Sequence, residues 1–156
     1  MSKNKKTALE AASAYLANRM RTVHEVRKYL KEKEYDASEI DETVNELIGL
    51  RYLDDHLYAE RYYEYNREKK RGIRRAAREL AERGVDETTI KNAGEDFLYE
   101  NKVDEYEDAL SVAMKEAEGR ETDEKLIAKV ARKLESKGYG GGDIVRVLEA
   151  IRKRQD

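Results

Sequence analysis

The chain has no cysteine, proline or tryptophan, and only one phenylalanine among its 156 residues. Without cysteine it can form no disulfide, thiolate nucleophile, iron–sulfur cluster or cysteine zinc site. No stretch approaches the ~18 consecutive apolar residues of a membrane-spanning helix. The basic segment at positions 1–6 is not followed by the apolar run of a secretory signal. We therefore expect a soluble, cytoplasmic protein that needs no cofactor and does not contact a membrane.

Charge is abundant and unevenly distributed. Charged residues make up 42% of the chain, against roughly 25% in an average globular protein, which predicts a thin or divided core. The formal net charge of -2 conceals two opposed segments. Nine basic and four acidic residues lie between Arg61 and Arg83, whereas nine acidic and two basic residues lie between Asp86 and Asp108. Overall near-neutrality therefore does not argue against a polyanionic partner.

The hydrophobic pattern is helical and repeats three times. Apolar residues recur at intervals of three and four, and no segment shows the sustained alternation of a strand. When Leu30, Leu80 and Leu134 are aligned, other apolar positions match in all three copies. The matching sets include Val23, Ile73 and Ile127 seven residues earlier, and Ile40, Ile90 and Ile144 ten residues later. The copies are 50 and then 54 residues apart, which predicts a triplicated unit.

Each copy is predicted to contain three helices. We expect first helices at about 7–19, 54–71 and 105–118, second helices at about 23–33, 73–83 and 123–137, and third helices at about 38–50, 87–100 and 143–152. Gly84 and Gly138 end the second helix of two copies, where a left-handed residue is favoured. The first copy has Glu34 there. Because that conformation costs a non-glycine residue ~1 kcal/mol, we expect its turn to differ.

The predicted fold class is all-α, with three tandem three-helix repeats. The domain boundaries that follow are a basic tail at 1–6 and repeats at 7–51, 52–102 and 103–156. A unit of ~50 residues has a marginal core by itself. Stacking of successive units, each touching mainly its neighbour, predicts an elongated and curved body. We expect this body to be monomeric.

Catalytic motifs are missing from the sequence. His24 and His56 are 32 residues apart, without metal-binding spacing. Asp54 and Asp55 precede an apolar and aromatic stripe, so we interpret them as helix caps rather than a catalytic pair. The three glycines at 140–142 are not followed by Lys-Ser/Thr, so they do not form a phosphate-binding loop. We therefore predict no catalytic residue, no metal site and no enzymatic activity.

A basic cluster is the strongest functional signal. Arg71, Arg74, Arg75 and Arg78 would share one helix face if the turn before Ile73 continues as helix. Such a face suits phosphate groups, through charge and bidentate guanidinium geometry. The alternative is a solvated face offset by nearby glutamates. The candidate binding residues are Arg67, Lys70, Arg71, Arg74, Arg75, Arg78, Arg27 and Lys28. Among the neighbouring tyrosines, Tyr58 and Tyr62 are assigned to packing, while Tyr63 and Tyr65 are left open between packing and stacking on bases.

Several segments resemble the bacterial RecX regulatory proteins. They are residues 7–19 and 21–31, then 51–61 with its Tyr-Leu-Asp-Asp sequence, then 71–84, and finally 133–139. Their order and spacing extend the resemblance over nearly the whole chain. Two departures concern the starts of helices: Ile73 replaces an expected proline, and Gly140 replaces an expected serine-like cap, a position where glycine is tolerated.

The resemblance implies a non-enzymatic regulator of recombination. RecX proteins bind the RecA recombinase, chiefly its filament on single-stranded DNA, and inhibit its ATP hydrolysis and strand exchange. They are also reported to contact DNA, so weak binding to single-stranded DNA alone is expected. Two other interpretations stay open at this point. One is a helical DNA-binding module that acts independently of RecA, and the other is a protein-binding scaffold with no nucleic-acid role.

Overall fold

The computed structural model describes residues 5–154, which form nine α-helices and no strand within that range. The helices are α1 (Ala8–Leu16), α2 (Val23–Glu32), α3 (Ala37–Gly49), α4 (Asp55–Glu68), α5 (Ile73–Glu82), α6 (Glu87–Glu100), α7 (Glu105–Ala117), α8 (Glu124–Lys137) and α9 (Gly141–Lys153). The predicted all-α class is confirmed. Within residues 5–154, no helix combines the length and the apolar character needed to cross a membrane.

Side-chain caps determine where most of the helices begin. Thr7 and Thr22 form complete capping boxes, with Glu10 and Glu25 accepting from the backbone N–H of each threonine. Five further helices begin at an aspartate whose side chain accepts a backbone N–H from the first turn. In the order α3, α4, α6, α7 and α8, these are Asp36, Asp54, Asp86, Asp104 and Asp123. The remaining two helices, α5 and α9, have glycine at the N-cap and no side-chain cap.

Some helix ends differ from the sequence prediction. Helix α4 ends at Glu68, because Lys69 and left-handed Lys70 turn the chain before Arg71. Arg71 therefore precedes α5 and does not continue a helix from Arg67.

The prediction of a different turn at Glu34 was wrong. Glu34 adopts a left-handed φ of 67°, and backbone bonds from Glu34 and Tyr35 to α2 carbonyls offset its cost.

The core is divided into three clusters, one for each group of three helices. The units are α1–α3, α4–α6 and α7–α9, and each has its own buried apolar cluster. Leu30, Leu80 and Leu134, which anchored the sequence alignment, are each fully buried. The accessible surface is 10342 Å², whereas a compact monomer of this mass would expose about 8,100 Å². This excess is what an elongated array of thin-cored units produces.

The first joint connects the first and second units. Here the start of α2 meets the end of α5: the Thr22 hydroxyl donates to the carbonyl of Arg83 over 2.8 Å. The backbone N–H of Val23 donates to Asp55 Oδ1 over 2.9 Å. The His24 ring occupies the space that a side chain at left-handed Gly84 would need.

The second joint repeats this arrangement between the second and third units. The backbone N–H of Gly72 donates to the Lys137 carbonyl over 2.8 Å, and that of Arg74 donates to the Gly138 carbonyl over 3.2 Å. The backbone N–H of Ile73 donates to Glu105 Oε1 over 3.2 Å. Ile73 and Glu105 thus stand where Val23 and Asp55 stand in the first joint. The two joints therefore share the bond from the first amide of the second helix to a carboxylate of the next unit.

The carboxylate at each joint is partly removed from water. Burial is the main cause that raises the pKa of Asp55, and burial likewise raises the pKa of Glu105 to about 7. Asp108 and Asp143 raise the pKa of Glu105 further, while the Ile73 N–H and Arg67 oppose the shift. The folded state therefore binds the Glu105 proton more tightly than the unfolded state does.

Glu105→Gln tests this linkage. Because the folded pKa is raised, Glu105 makes the protein less stable as pH increases from about 4.5 to about 7. Glutamine still accepts the Ile73 N–H but cannot ionise. We expect E105Q to be more stable than the parent by about 1–2 kcal/mol at pH 8, after allowance for solvent screening, and to match it near pH 4.5. Thermal unfolding between pH 4.5 and 8.5 checks this, with exposed Glu107→Gln as control. Parallel curves for E105Q and the parent would contradict it.

Candidate nucleic-acid interface

Four of the predicted binding residues remain unpaired around the second joint. Lys70, Arg74 and Arg78 are exposed, and Arg71 is half-buried beside the N-cap of α5. Within residues 5–154 none of the four forms an ion pair. Arg74 and Arg78 are one turn apart on the outer face of α5. These four side chains, here called the basic cluster, are free to contact an anion.

The other predicted residues do not join this cluster. Arg67 on α4 forms a bidentate pair with Asp108 on α7, with an Nε–Oδ2 distance of 2.9 Å. Arg75 contacts Glu79 and the Ser136 carbonyl, each over 3.4 Å. Arg27 on α2 pairs with Asp41 on α3 over 2.7 Å. Because these arginines already stabilise contacts within the chain, they offer less charge to a ligand. Exposed Lys28 is unpaired but lies on α2 of the first unit.

The structure adds lysines that the sequence analysis missed. A groove of about 330 Å³ beside the second joint is lined by Lys70, Ser111, Val112, Lys115, Glu116, Lys133 and Lys137. Its one carboxylate, Glu116, already pairs with Lys129 over 3.2 Å and with Lys133 over 3.5 Å. Burial lowers the pKa of Lys137, and repulsion from Lys133, Arg71 and Arg75 lowers it further. Positive charge therefore extends from α5 across the joint to α7 and α8.

Many acids of the segment 86–108 have structural roles. Asp86 caps α6 and Asp104 caps α7. The bond that Asp86 accepts from the Thr89 backbone N–H holds the pKa of Asp86 below its usual value. Glu105 and Asp108 contact the second unit across the joint, through the Ile73 N–H and Arg67. The acidity of the segment is thus partly explained by helix starts and by the joint.

The tyrosines divide between the core and the surface. Tyr58 is 7% exposed and Tyr63 is 3% exposed, so Tyr63, which the sequence left open, packs in the core. Its hydroxyl donates to the Ile90 carbonyl over 3.1 Å, and burial raises its pKa to about 12. Tyr65 is 48% exposed. It is therefore the exposed tyrosine of α4, with Lys69 Nζ 5.6 Å from the centre of its ring.

One group of side chains within residues 5–154 could hold a metal ion. His56 Nε2 lies 2.8 Å from Glu60 Oε1 and 3.0 Å from Asp96 Oδ2, so three donor atoms from α4 and α6 converge. No metal site was predicted from the sequence, because the spacing of the two histidines does not reveal the carboxylates near His56. The fold supplies the two carboxylates. When protonated, the same imidazole forms an ion pair that joins α4 to α6.

Comparisons with known proteins agree with this architecture. Residues 8–47 match the family model described as the first three-helix domain of RecX, and residues 54–93 match the second three-helix domain. A crystal structure of RecX from Lactobacillus salivarius shares the fold, with a TM-score of 0.78 and 24% identity over 93% of this chain and 94% of that one. A second crystal structure, of regulatory protein RecX, superimposes with a TM-score of 0.75 and 25% identity over 94% of this chain and 72% of that one.

Curated sequence relatives have the same description. The chain is 37% identical over 129 residues to the regulatory protein RecX of Halalkalibacterium halodurans, covering 80% of this chain and 47% of that protein. It is 30% identical over 152 residues to the regulatory protein RecX of Bacillus velezensis, covering 97% and 57% respectively. The chain spans about half the length of these relatives. The chain is an all-α array of three-helix units that match the first and second RecX domains in order. It belongs to the RecX family of regulatory proteins.

Proposed function

We propose that the chain binds RecA and its filament on single-stranded DNA, and inhibits ATP hydrolysis and strand exchange by RecA. In this role it acts as a cytoplasmic, monomeric regulator and has no catalytic activity. Membership of the RecX family supports a protein partner, since the relatives are described as regulatory proteins. The observation that supports a partner containing DNA is the basic cluster, whose four cations have no ion pair within residues 5–154.

The geometry suggests how such a protein could act. Two joints that share an amide–carboxylate bond connect the three units, so the array presents an extended surface rather than a single pocket. A filament consists of repeated recombinase subunits around a polyanion. A body that contacts both binds one filament geometry more tightly than another. It shifts the filament between states only as far as those two affinities differ.

Titration of the chain into a RecA–single-stranded DNA ATPase assay tests the proposal. We expect hydrolysis to fall in a saturable manner as the chain is added. Control reactions with excess single-stranded DNA distinguish true inhibition from sequestration of the DNA, because sequestration is relieved by more DNA. Unchanged hydrolysis at saturating chain would refute the proposal. Inhibition that disappears with excess DNA would favour a DNA-binding module that acts without RecA.

A further inference from the structure

The second unit brings an imidazole and two carboxylates together on its surface. His56 and Glu60 are one turn apart on α4, so they share a helix face, and Asp96 comes from α6. His56 Nε2 lies 2.8 Å from Glu60 Oε1 and 3.0 Å from Asp96 Oδ2. One ligand atom from each of the three residues lies within 4.8 Å of the other two. These three residues are here called the chelating cluster.

The charge of the chelating cluster is not balanced by a basic side chain. Within residues 5–154, neither Glu60 nor Asp96 pairs with a lysine or an arginine, and His56 is the ion-pair partner of both. A single imidazole nitrogen carries at most one proton, which the two carboxylates have to share. A divalent cation between the three residues would neutralise both carboxylates and bind the nitrogen lone pair.

The distances in the cluster are close to those of a coordinated zinc ion. Ligand atoms about 2.1 Å from a tetrahedral ion are roughly 3.4 Å from one another. The two nitrogen–oxygen distances are shorter than this by about 0.4–0.6 Å. The side chains of His56, Glu60 and Asp96 are 40%, 27% and 52% exposed, so they have room to rotate and an ion can enter from solvent.

The two helices that carry the cluster are held together by other contacts. The Tyr63 hydroxyl on α4 donates to the Ile90 carbonyl on α6 over 3.1 Å. The Tyr63 ring stacks on Phe97, with 5.8 Å between the ring centres. Gly94 allows this approach, because a Cβ there would lie 3.0 Å from the Tyr63 hydroxyl oxygen. The positions of α4 and α6 therefore do not depend on the cluster, which is preorganised for a ligand.

We propose that the chelating cluster binds one Zn²⁺ ion, which links α4 to α6 in the second unit. His56 Nε2 and one carboxylate oxygen from each of Glu60 and Asp96 are the protein ligands, and water completes the coordination. Imidazole with carboxylates suits zinc, whereas Mg²⁺ and Ca²⁺ favour a larger set of oxygen ligands. This inference departs from the sequence prediction of no metal site, and it does not depend on the proposed function.

The test measures zinc binding to the chain, prepared without a histidine tag, by isothermal titration calorimetry at pH 7.5. One variant combines Glu60→Gln and Asp96→Asn. The control combines Glu64→Gln and Glu100→Gln, which removes two exposed carboxylates from the same two helices. We expect one zinc ion per parent or control chain. The affinity of the E60Q/D96N variant should be at least about 100-fold lower, since loss of an outer partner of a ligand alone costs 10–100-fold.

Thermal unfolding gives a second measurement of the same site. The unfolded chain does not hold the three ligands together, so zinc should raise the unfolding midpoint of the parent. At a zinc concentration 100 times the dissociation constant, we expect an increase of about 5–10 °C. The E60Q/D96N variant should show no such increase, and Mg²⁺ should not replace Zn²⁺. In NMR spectra, zinc should shift the ring nitrogens of His56 and leave those of His24 unchanged.

The outcomes are decisive in both directions. Loss of binding in E60Q/D96N with full binding in the control supports the zinc site. Absence of zinc binding to the parent overturns it. Equal binding by all three proteins also overturns it, because a generally acidic surface would then explain the association. An equal rise of the unfolding midpoint with Mg²⁺ would exclude a site built on the imidazole. None of these results changes the expected inhibition of ATP hydrolysis by RecA, so the two proposals are tested separately.

Discussion

Replacing Gly72 by alanine is expected to lower the free energy of unfolding by about 2–4 kcal/mol, because the second joint has no room for a methyl group. A Cβ at Gly72 would lie within 2.8 Å of three backbone atoms of Gly138 and Tyr139. Backbone atoms cannot rotate away as a flexible side chain can. The joint must open, and the bonds from the Gly72 and Arg74 amides to the carbonyls of Lys137 and Gly138 would be lost.

Urea denaturation with the matched variant Gly142→Ala checks this expectation. Gly142 lies in the first turn of α9, and a Cβ there meets no atom within 4 Å. Alanine at that position should stabilise the protein by about 0.5–1 kcal/mol through helix propensity and chain entropy. Hydrogen exchange should quicken at the Gly72 and Arg74 amides in G72A and stay slow at Val23, whose joint is untouched. An unfolding free energy of G72A equal to that of the parent would show that the joint does not hold the units together.

Reversing the charge of Arg71, Arg74 and Arg78 to glutamate should raise the concentration needed to inhibit ATP hydrolysis by RecA about 100-fold. Hydrogen bonds to charged groups contribute roughly 1.5–3 kcal/mol each, so loss of even two phosphate contacts gives a factor of this size. These arginines have no ion pair within the described residues, so their reversal leaves the three cores intact. Circular dichroism should therefore show parental helicity.

The comparison variant reverses Arg51, Lys102 and Lys153, which are exposed and follow or end the third helices of the three units. It changes the net charge by the same amount, so it reports on the effect of net charge. We expect its inhibitory concentration to stay within about threefold of the parent at 0.15 M salt, where exposed charges are largely screened beyond 8 Å. Full inhibition by the Arg71, Arg74 and Arg78 variant would identify the basic face as merely solvated. The protein-binding scaffold would then be the better description.

The fold was largely predictable from the sequence because the repeat is defined by the spacing of its apolar residues. Leu30, Leu80 and Leu134 mark equivalent positions, and burial at those positions needs no knowledge of the partner helix. Local capping residues such as Thr22 also act within one turn. The left-handed turn at Glu34 was missed, because propensity alone disfavours it while the tertiary fold imposes it.

The candidate site was predicted less completely, since ion pairing depends on residues far apart in the chain. The sequence predicted that Arg67 binds a ligand, but in the fold its guanidinium pairs with Asp108, which is 41 residues away. Lys115 and Lys137 were missed for the same reason, because the fold brings α7 and α8 to the groove that Lys70 also lines.

Affinity for three targets, measured side by side, tests the account most directly. Labelled chain is titrated with assembled RecA–single-stranded DNA filament, with the bare strand, and with RecA that has no DNA. If the chain contacts protein and DNA together, binding to the filament should be about 100-fold tighter than to the bare strand, as expected for two linked contacts. Equal or tighter binding to the bare strand would contradict a filament regulator.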